Sequence, residues 1–331
     1  MKAIFLCQKE AGIGRVYSEE TIKKLSMLTE LDPVVYQKSD LLESPQPDAA
    51  YVFSTWGMPE MTEQEIRSRL PNLKCVFYAA GTVQKFARPF LNCGVRVFSA
   101  WAANAVPVAE YTVAQIVLAG KGFYQVSAIG NEEEYRAAKK KFSRYGGNYG
   151  AKIGIIGAGM IGKLVIRMLK AYSFDVLVFD PFLPDDTAKE LGVEKVSLDK
   201  LFCTCSVVSN HLANNAQTKG MLNAPLFASM PPYATFLNTG RGAQVVEADL
   251  IETLRARPDM TAVLDVTDPE PPLAGSALYE LKNCVLTPHI AGSGGGEVHR
   301  MSEYMLAEFT SYLQGKPCRY EVTREMLETM A

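Results

Sequence analysis

The chain is predicted to be an α/β protein built from two doubly wound parallel sheets. Three observations carry that expectation. Residues 1 to 100 alternate short β-like runs with polar, amphipathic segments, a second series of the same kind starts at Lys152, and an apolar helical stretch from Val106 to Val126 separates the two. Strands that alternate with helices build parallel sheets covered on both faces.

In the first series the strand candidates are Ala3–Cys7, Val34–Gln37, Ala50–Ser54, Cys75–Ala79 and Arg96–Ser99, with helices expected at Glu19–Leu28 and Thr62–Leu70. Pro71, Asn92 and Gly94 punctuate the pattern as turn formers. The separating helix carries a small, apolar face (Val106, Ala109, Val113, Ile116, Val117, Gly120), which suits close packing against another element. The second series offers strands at Ile153–Ile156, Asp175–Asp180, Ser206–Asn210, Thr235–Asn238, Thr261–Val266 and Cys284–Thr287. Six strands with intervening helices meet the requirement of a Rossmann domain.

After Ile290 comes a stretch expected to be flexible, Ala291-Gly-Ser-Gly-Gly-Gly296, then an amphipathic helix over roughly Val298 to Leu313 and a short tail. A tail of about 35 residues is too small for a domain of its own, so it is expected to return to the first series. The division is therefore 1–103 plus 292–331 as a smaller, flavodoxin-like α/β substrate-binding domain, with 104–291 inserted into it as a Rossmann domain. Hinges fall near Ala103 and Ala291, and the active site is expected in the cleft between the domains.

Composition narrows the function classes. The 331 residues are 48% apolar and 21% charged with a net charge of −2, which argues against nucleic acid or an anionic membrane as the main partner. Lys139, Lys140, Lys141 and Arg144 form one basic cluster, read as a solvated arm on a connecting segment. The apolar run at the N-terminus is too short for a signal peptide and reads as a first strand. No stretch approaches the ~18 uncharged apolar residues of a membrane span. Seven cysteines without framework spacing fit a reducing compartment. Cys203 and Cys205 are the only close pair, so no metal site is expected, and the protein is placed in the cytoplasm with buried, reduced thiols.

The glycine-rich turn Gly157-Ala-Gly159-Met160-Ile161-Gly162 gains meaning from its setting. A buried-type strand precedes it, and a helix with Ile161, Leu164, Val165, Met168 and Leu169 on one face follows. Backbone N–H groups and a helix N-terminus meet a pyrophosphate in this arrangement. Gly157 permits the tight turn, Gly159 lets phosphates approach the backbone, and Gly162 lets the helix press on the strand. The next β run ends in Asp180, whose carboxylate would accept from adenosine ribose hydroxyls and repel a 2′-phosphate. No arginine follows in Pro181-Phe182-Leu183, so NAD is expected over NADP.

Downstream, Arg241, Glu270 and His289 supply what a protein needs to hold a small 2-hydroxy or 2-oxo acid and move its proton. A guanidinium fork can grip the carboxylate and polarise the C2 oxygen. His289 can take and return the hydroxyl proton, and Glu270 would favour the charged imidazole and fix its orientation. Hydride then passes between C2 and the nicotinamide. Taken singly, each has a plainer explanation: a surface ion pair for Arg241, a solvated loop acid for Glu270, a loop cap for His289. Of the other histidines, His299 falls on the C-terminal helix and reads as structural, while His211 ends a strand nearer the cofactor.

The segments Ile153–Gly162, Leu237-Asn-Thr-Gly-Arg-Gly242, Leu264-Asp-Val-Thr-Asp-Pro-Glu270 and Thr287-Pro-His-Ile-Ala-Gly-Ser293 together make the chain resemble the D-isomer-specific 2-hydroxyacid dehydrogenase family from about residue 50 onward. The resemblance implies that Arg241, Glu270 and His289 are catalytic, and in family order three separate accidents are improbable. It also implies cofactor contacts from Thr82, from the glycine-turn residues including Met160 and Ile161, from His211, Leu212, Ala213 and Thr218, and from Thr239, Gly240, Asp265 and Ala291. Ala213 departs from a common proline. Asp265 reads equally well as a strand-end carboxylate bonded to backbone.

By the same resemblance, Ala79-Ala80-Gly81-Thr82 is the loop whose N–H groups receive the substrate carboxylate, although Val83-Gln84-Lys85 departs from the usual continuation. Ser54, Thr55 and Trp56 would form the opposite wall, with Trp56 equally readable as a buried packing residue. Phe53 stands where the phosphoglycerate branch has an arginine, so an unphosphorylated 2-oxo acid is expected. A homodimer is implied by analogy through the long helix and the arm that follows. A second hypothesis is an NADH-sensing, corepressor-like binding protein without significant turnover, and a third is oxidation of an inorganic anion such as phosphite.

Overall fold

The structure is a computed structural model and describes residues 1–328. It consists of two compact units, Met1–Asn104 with the chain from Ser293 onward, and Ala105–Gly292. The first unit opens with β1 (Lys2–Leu6), β2 (Glu30–Tyr36), β3 (Ala49–Ser54), β4 (Cys75–Tyr78) and β5 (Arg96–Ser99). The second holds β6 (Ala151–Ile156), β7 (Phe174–Phe179), β8 (Glu194–Lys195), β9 (Val207–Asn210), β10 (Thr235–Asn238), β11 (Thr261–Leu264) and β12 (Cys284–Leu286), and β13 (Glu321–Val322) returns to the first.

The first sheet runs β13-β5-β4-β3-β1-β2, parallel except for β13, which pairs antiparallel with β5. Its parallel part has the flavodoxin-like order 2-1-3-4-5. All six residues of β3 are buried, the burial expected of a strand covered on both faces. Phe309, on the helix His299–Leu313, meets Tyr51, Phe53 and Phe77 edge-on with ring centroids 5.0, 5.2 and 5.2 Å away. Phe77 in turn stacks on Phe98 at 4.8 Å. The helix Glu63–Arg69 starts on a reciprocal cap in which Thr62 Oγ1 accepts from Glu65 N–H and Glu65 accepts from Thr62 N–H.

The second sheet runs β12-β11-β10-β9-β6-β7-β8, a Rossmann winding with one added parallel strand. It has seven strands where six are expected from the sequence. The extra one, β8, is two exposed, charged residues, which carry no apolar signal. The separating helix also differs from expectation, running Trp101–Gly120. Gly122, with φ +66°, ends that stretch and caps a separate turn, Phe123–Val126. A further helix, Glu132–Phe142, buries none of its residues and holds Lys139–Lys141 in its last turn.

The helix Trp101–Gly120 is long and apolar enough, by length and composition, to cross a membrane, which corrects the expectation that no stretch reaches that length. However, 56% of its apolar window is buried within the protein, where Ala109, Val113, Ile116 and Ala119 pack in the second unit's core. The segment expected to be flexible is tied down in part. Ala291 is buried, and Ser293 N–H donates to Asn104 Oδ1 at 3.0 Å. All seven thiols are free, but only Cys7, Cys75 and Cys205 are buried, and Cys203 is exposed.

Candidate functional site

Register brings the second unit's candidate residues together. Phe179, Ile156, Asn210, Asn238 and Leu264 are partners across β7, β6, β9, β10 and β11, with Leu286 of β12 opposite Leu264. The next residue along each strand is therefore Asp180, Gly157, His211, Thr239, Asp265 and Thr287. One row at the carboxyl edge thus holds five of the expected cofactor contacts, Asp180, Gly157, His211, Thr239 and Asp265. The winding reverses between β6 and β9, the point at which open α/β sheets bind dinucleotides.

The glycines divide by cause. Gly157 has φ +86°, and a Cβ there would lie 2.8 Å from His211 O. A Cβ on Gly162 would run into the carbonyl oxygen of Gly157. Gly159 faces open space and caps the ten-residue helix Met160–Leu169 with no side-chain cap. The protein's own packing thus does not require glycine at 159, and the first N–H groups of that helix are left for an anion. This cradle fits the pyrophosphate of a dinucleotide. Asp180 reaches back over it, with Oδ2 accepting from Ala158 N–H at 2.7 Å and Oδ1 from Phe182 N–H at 2.8 Å. Each carboxylate oxygen keeps a lone pair for a ribose hydroxyl.

Beyond β9, His211 Nε2 pairs with Ser209 Oγ at 2.9 Å, and Nδ1 is buried with no partner among the described residues. Burial lowers the imidazole pKa to about 4. The Thr218 hydroxyl donates to Ala213 O at 2.6 Å, so it closes the loop over residues 213–218 from within. Thr239 is buried and its hydroxyl pairs with that of Thr112 at 3.2 Å.

Arg241 follows β10, and its Nη1 donates to Gly240 O at 2.8 Å. Among the described residues no carboxylate forms an ion pair with it. Glu270 and His289 meet directly, Oε1 to Nδ1 at 2.8 Å, with both side chains nearly half exposed. They line a cavity of about 430 Å³ together with Asp265, Thr267, Pro271 and Tyr279. His289 has φ +54°, a left-handed conformation that a non-glycine residue holds only when its surroundings impose it.

Asp265 imposes it. Its carbonyl accepts from His289 N–H at 3.1 Å. Its carboxylate accepts from the Thr287 hydroxyl at 2.6 Å, from Ile290 N–H at 2.8 Å and from Ala291 N–H at 3.0 Å. The side chain is buried, which favours the reading of a strand-end carboxylate bonded to backbone. Tyr111 OH pairs with Thr287 Oγ1 at 3.1 Å and so braces the same loop from the long helix.

In the first unit the expected wall changes character. Ser54 and Thr55 are fully buried, with hydroxyls committed to Leu6 O and Ala79 O. Both side chains point into the protein, Ser54 at the end of a strand buried on both faces and Thr55 directly after it. Trp56 is 40% exposed, which removes the buried-packing alternative. Arg15 stands 5.9 Å from the Trp56 ring centroid, a guanidinium the sequence does not reveal beside it. Ala80 is buried, while Ser99 Oγ donates to Ala80 O and Gly81 O. Among the described residues, the N–H groups of Gly81 and Thr82 have no hydrogen-bond acceptor. His299 Nδ1 pairs with Val16 O at 3.2 Å and is structural.

Sequence reasoning misses Asn210, Asn238 and Gln244, three amides at most 1% exposed that join the loops carrying His211 and Arg241. A polar residue ending each of two apolar strands was the available signal.

Residues 113–291, more than half of the chain, match the model of the D-isomer specific 2-hydroxyacid dehydrogenase, NAD binding domain. The chain belongs to the D-isomer specific 2-hydroxyacid dehydrogenase family. The family's NAD-binding domain is thus the second unit's fold, and NAD is the cofactor that its glycine cradle suits. D-3-phosphoglycerate dehydrogenase of Archaeoglobus fulgidus is 28% identical over 320 residues, 96% of this chain and 59% of its own length. D-3-phosphoglycerate dehydrogenase 2, chloroplastic, of Arabidopsis thaliana is 32% identical over 202 residues, 60% of this chain and 32% of its own. The chain therefore spans about three fifths or less of these curated relatives.

Among solved structures, the apo form of Rhodotorula graminis D-mandelate dehydrogenase superposes with a TM-score of 0.81 at 20% identity, covering 98% of each chain. A phosphoglycerate oxidoreductase from Rhizobium etli gives 0.79 at 22%, covering 98% of this chain and 99% of that one. At these identities the likeness is one of fold.

Proposed function

We propose that the chain is an NAD-dependent oxidoreductase that interconverts a small, unphosphorylated D-2-hydroxy acid and its 2-oxo acid. The observation that carries this reading is the 2.8 Å contact between Glu270 and His289, two strand ends away from an arginine that no described carboxylate occupies. In this mechanism the Arg241 fork grips the substrate carboxylate and polarises the C2 oxygen. His289 Nε2 takes the hydroxyl proton during oxidation and returns it during reduction. Glu270, on Nδ1, holds the ring orientation and balances the imidazolium that forms. Gly157, Gly159, Gly162 and Asp180 would hold NAD, which when bound would serve as the hydride donor or acceptor. In the first unit taken by itself, the loop Ala80-Gly81-Thr82 and Trp56 are proposed as substrate contacts.

The test is NADH oxidation with glyoxylate, hydroxypyruvate, pyruvate, bulkier 2-oxo acids and 3-phosphohydroxypyruvate. Turnover of at least one unphosphorylated acid is expected, with Arg241→Lys raising its KM about tenfold or more through loss of the bidentate grip. NADH binding without turnover of any acid would instead favour the sensor reading. One observation supports a phosphorylated substrate: Arg15 beside Trp56 could meet a distal anion, and preference for 3-phosphohydroxypyruvate that Arg15→Met abolishes would establish it.

We propose a homodimer, because the helix Glu132–Phe142 buries nothing within the chain. Sedimentation with and without residues 131–143 replaced by a short linker tests this. The free thiols suit a reducing compartment, and the cytoplasm is the proposed location, testable by fractionation.

A further inference from the structure

Resting on that reading of Arg241, we infer that Gln244, with Asn210 and Asn238, is a positioning residue that ties Arg241 to the cofactor loop at 211–213, so that the two are set in place together. Asn210 and Asn238 are register partners at the ends of β9 and β10, and Gln244 closes the 3-10 turn Gly242–Gln244 that follows Arg241. The three amides are buried to within 1% and carry no charge, so they bond one another without the desolvation cost of an ion pair.

Their bonds point two ways. Toward Arg241, Gln244 Oε1 accepts its N–H at 3.2 Å, Asn238 Nδ2 donates to its carbonyl at 3.2 Å, and Asn238 Oδ1 accepts Gly240 N–H at 3.0 Å. Toward the cofactor loop, Gln244 Nε2 donates to Leu212 O at 2.8 Å and to Ala213 O at 3.0 Å, while Asn210 Oδ1 accepts Leu212 N–H at 3.2 Å. Asn210 Nδ2 joins the halves, donating to Asn238 Oδ1 at 3.0 Å and Gln244 Oε1 at 2.6 Å.

A buried amide left without partners is costly, so such a network holds as a whole or fails as a whole. Neither loop can shift without breaking bonds that fix the other. Gln244 is the member that spans both directions, and an apolar side chain of the same length would fill its space while cutting both.

Gln244→Met is the test, with Leu254→Val, a buried site in the same unit away from both loops, as the packing control. NADH affinity is read by fluorescence, 2-oxo acid KM at saturating NADH, and the rate at which phenylglyoxal modifies the Arg241 peptide in the absence of any ligand. We expect Gln244→Met to weaken NADH binding at least fivefold, raise KM at least fivefold and speed modification of Arg241 severalfold, with kcat changed less than KM. The control should move each by less than twofold at a similar fall in Tm. If Gln244→Met matches the control in NADH affinity and in Arg241 modification, the inference is overturned. Those two readouts need no turnover, so an inactive wild type would sink the proposed reaction without deciding this one. Should Gln244→Met not fold, Asn210→Ser, which keeps a small polar group, carries the same expectations with smaller changes.

Discussion

Glu270 Oε1 lies 2.8 Å from His289 Nδ1, which leaves Nε2 as the ring nitrogen available to a substrate. His289→Ala should lower kcat by about 10²–10⁴, the usual contribution of a positioned acid/base group. Glu270→Gln keeps a hydrogen-bonding group but no charge, and should cost less than His289→Ala. The double variant should be no slower than His289→Ala alone, because the pair acts as a unit. Steady-state and single-turnover rates check this; additive losses would mean that the two residues act separately.

Gly159 and Gly162 should respond in opposite ways to alanine. A Cβ at 159 enters open space and meets no protein atom, so Gly159→Ala should leave the apo-protein's stability within about 0.5 kcal/mol. It should nonetheless weaken NADH binding about tenfold or more, a loss of at least ~1.4 kcal/mol. Gly162→Ala drives a methyl into the Gly157 carbonyl and should destabilise the apo-protein by about 1–3 kcal/mol. Thermal melts and fluorescence titrations separate the two outcomes.

Asp180 is given two tasks, since the carboxylate proposed to receive a ribose also holds Ala158 N–H at 2.7 Å. Asp180→Ala should therefore weaken NADH by roughly 1.5–3 kcal/mol, the range for hydrogen bonds to a charged group, while improving NADPH by only a few fold. A variant that exchanged one coenzyme for the other at full efficiency would show that the brace on the turn is dispensable.

His211 makes stability depend on pH. Its folded-state pKa, lowered by burial to about 4, lies below the ordinary value near 6.5. Between the two the unfolded chain binds the extra proton, so the contribution is full above about pH 6.5 and is lost as pH falls toward 4. The amount at stake is on the order of 3 kcal/mol. Urea melts of the apo-protein at pH 7 and pH 4.5 should show His211→Gln losing less stability on acidification than the wild type. Equal losses would assign the acid sensitivity to other groups.

The elements with a strong apolar period were readable in advance. The helix Glu19–Leu28 and the strands Arg96–Ser99 and Thr235–Asn238 have the boundaries that their residue patterns indicate. The elements without such a period were not: β8 is two charged residues, β13 is two residues in a tail, and Glu132–Phe142 has no buried residue. Gly122 stops the long helix through a positive φ, which sequence alone shows only as one glycine among several.

At the site, the strand–turn–helix context marked the glycine turn and Asp180, whereas Glu270 and His289 were marked by their order and spacing in the family resemblance, and the structure brings them together at 2.8 Å. Ser54 and Thr55 looked equally available, yet β3 lies in the middle of its sheet and turns both hydroxyls to neighbouring carbonyls. Arg15 and Trp56 are distant in sequence, and the Asn210–Gln244 contact joins loops from different strands. Such proximities exist only once the strand order is known.

The insertion of one unit within the other also sets an order for biosynthesis. Residues 105–292 are contiguous and can complete their sheet as soon as they clear the ribosome. The first sheet, begun at Lys2, must wait for Phe309 to fill its aromatic centre and for β13 to cover the exposed edge of β5. A chain truncated after residue 292 would thus hold every strand of the second sheet but an open, apolar first sheet, and chaperone binding should concentrate on the latter.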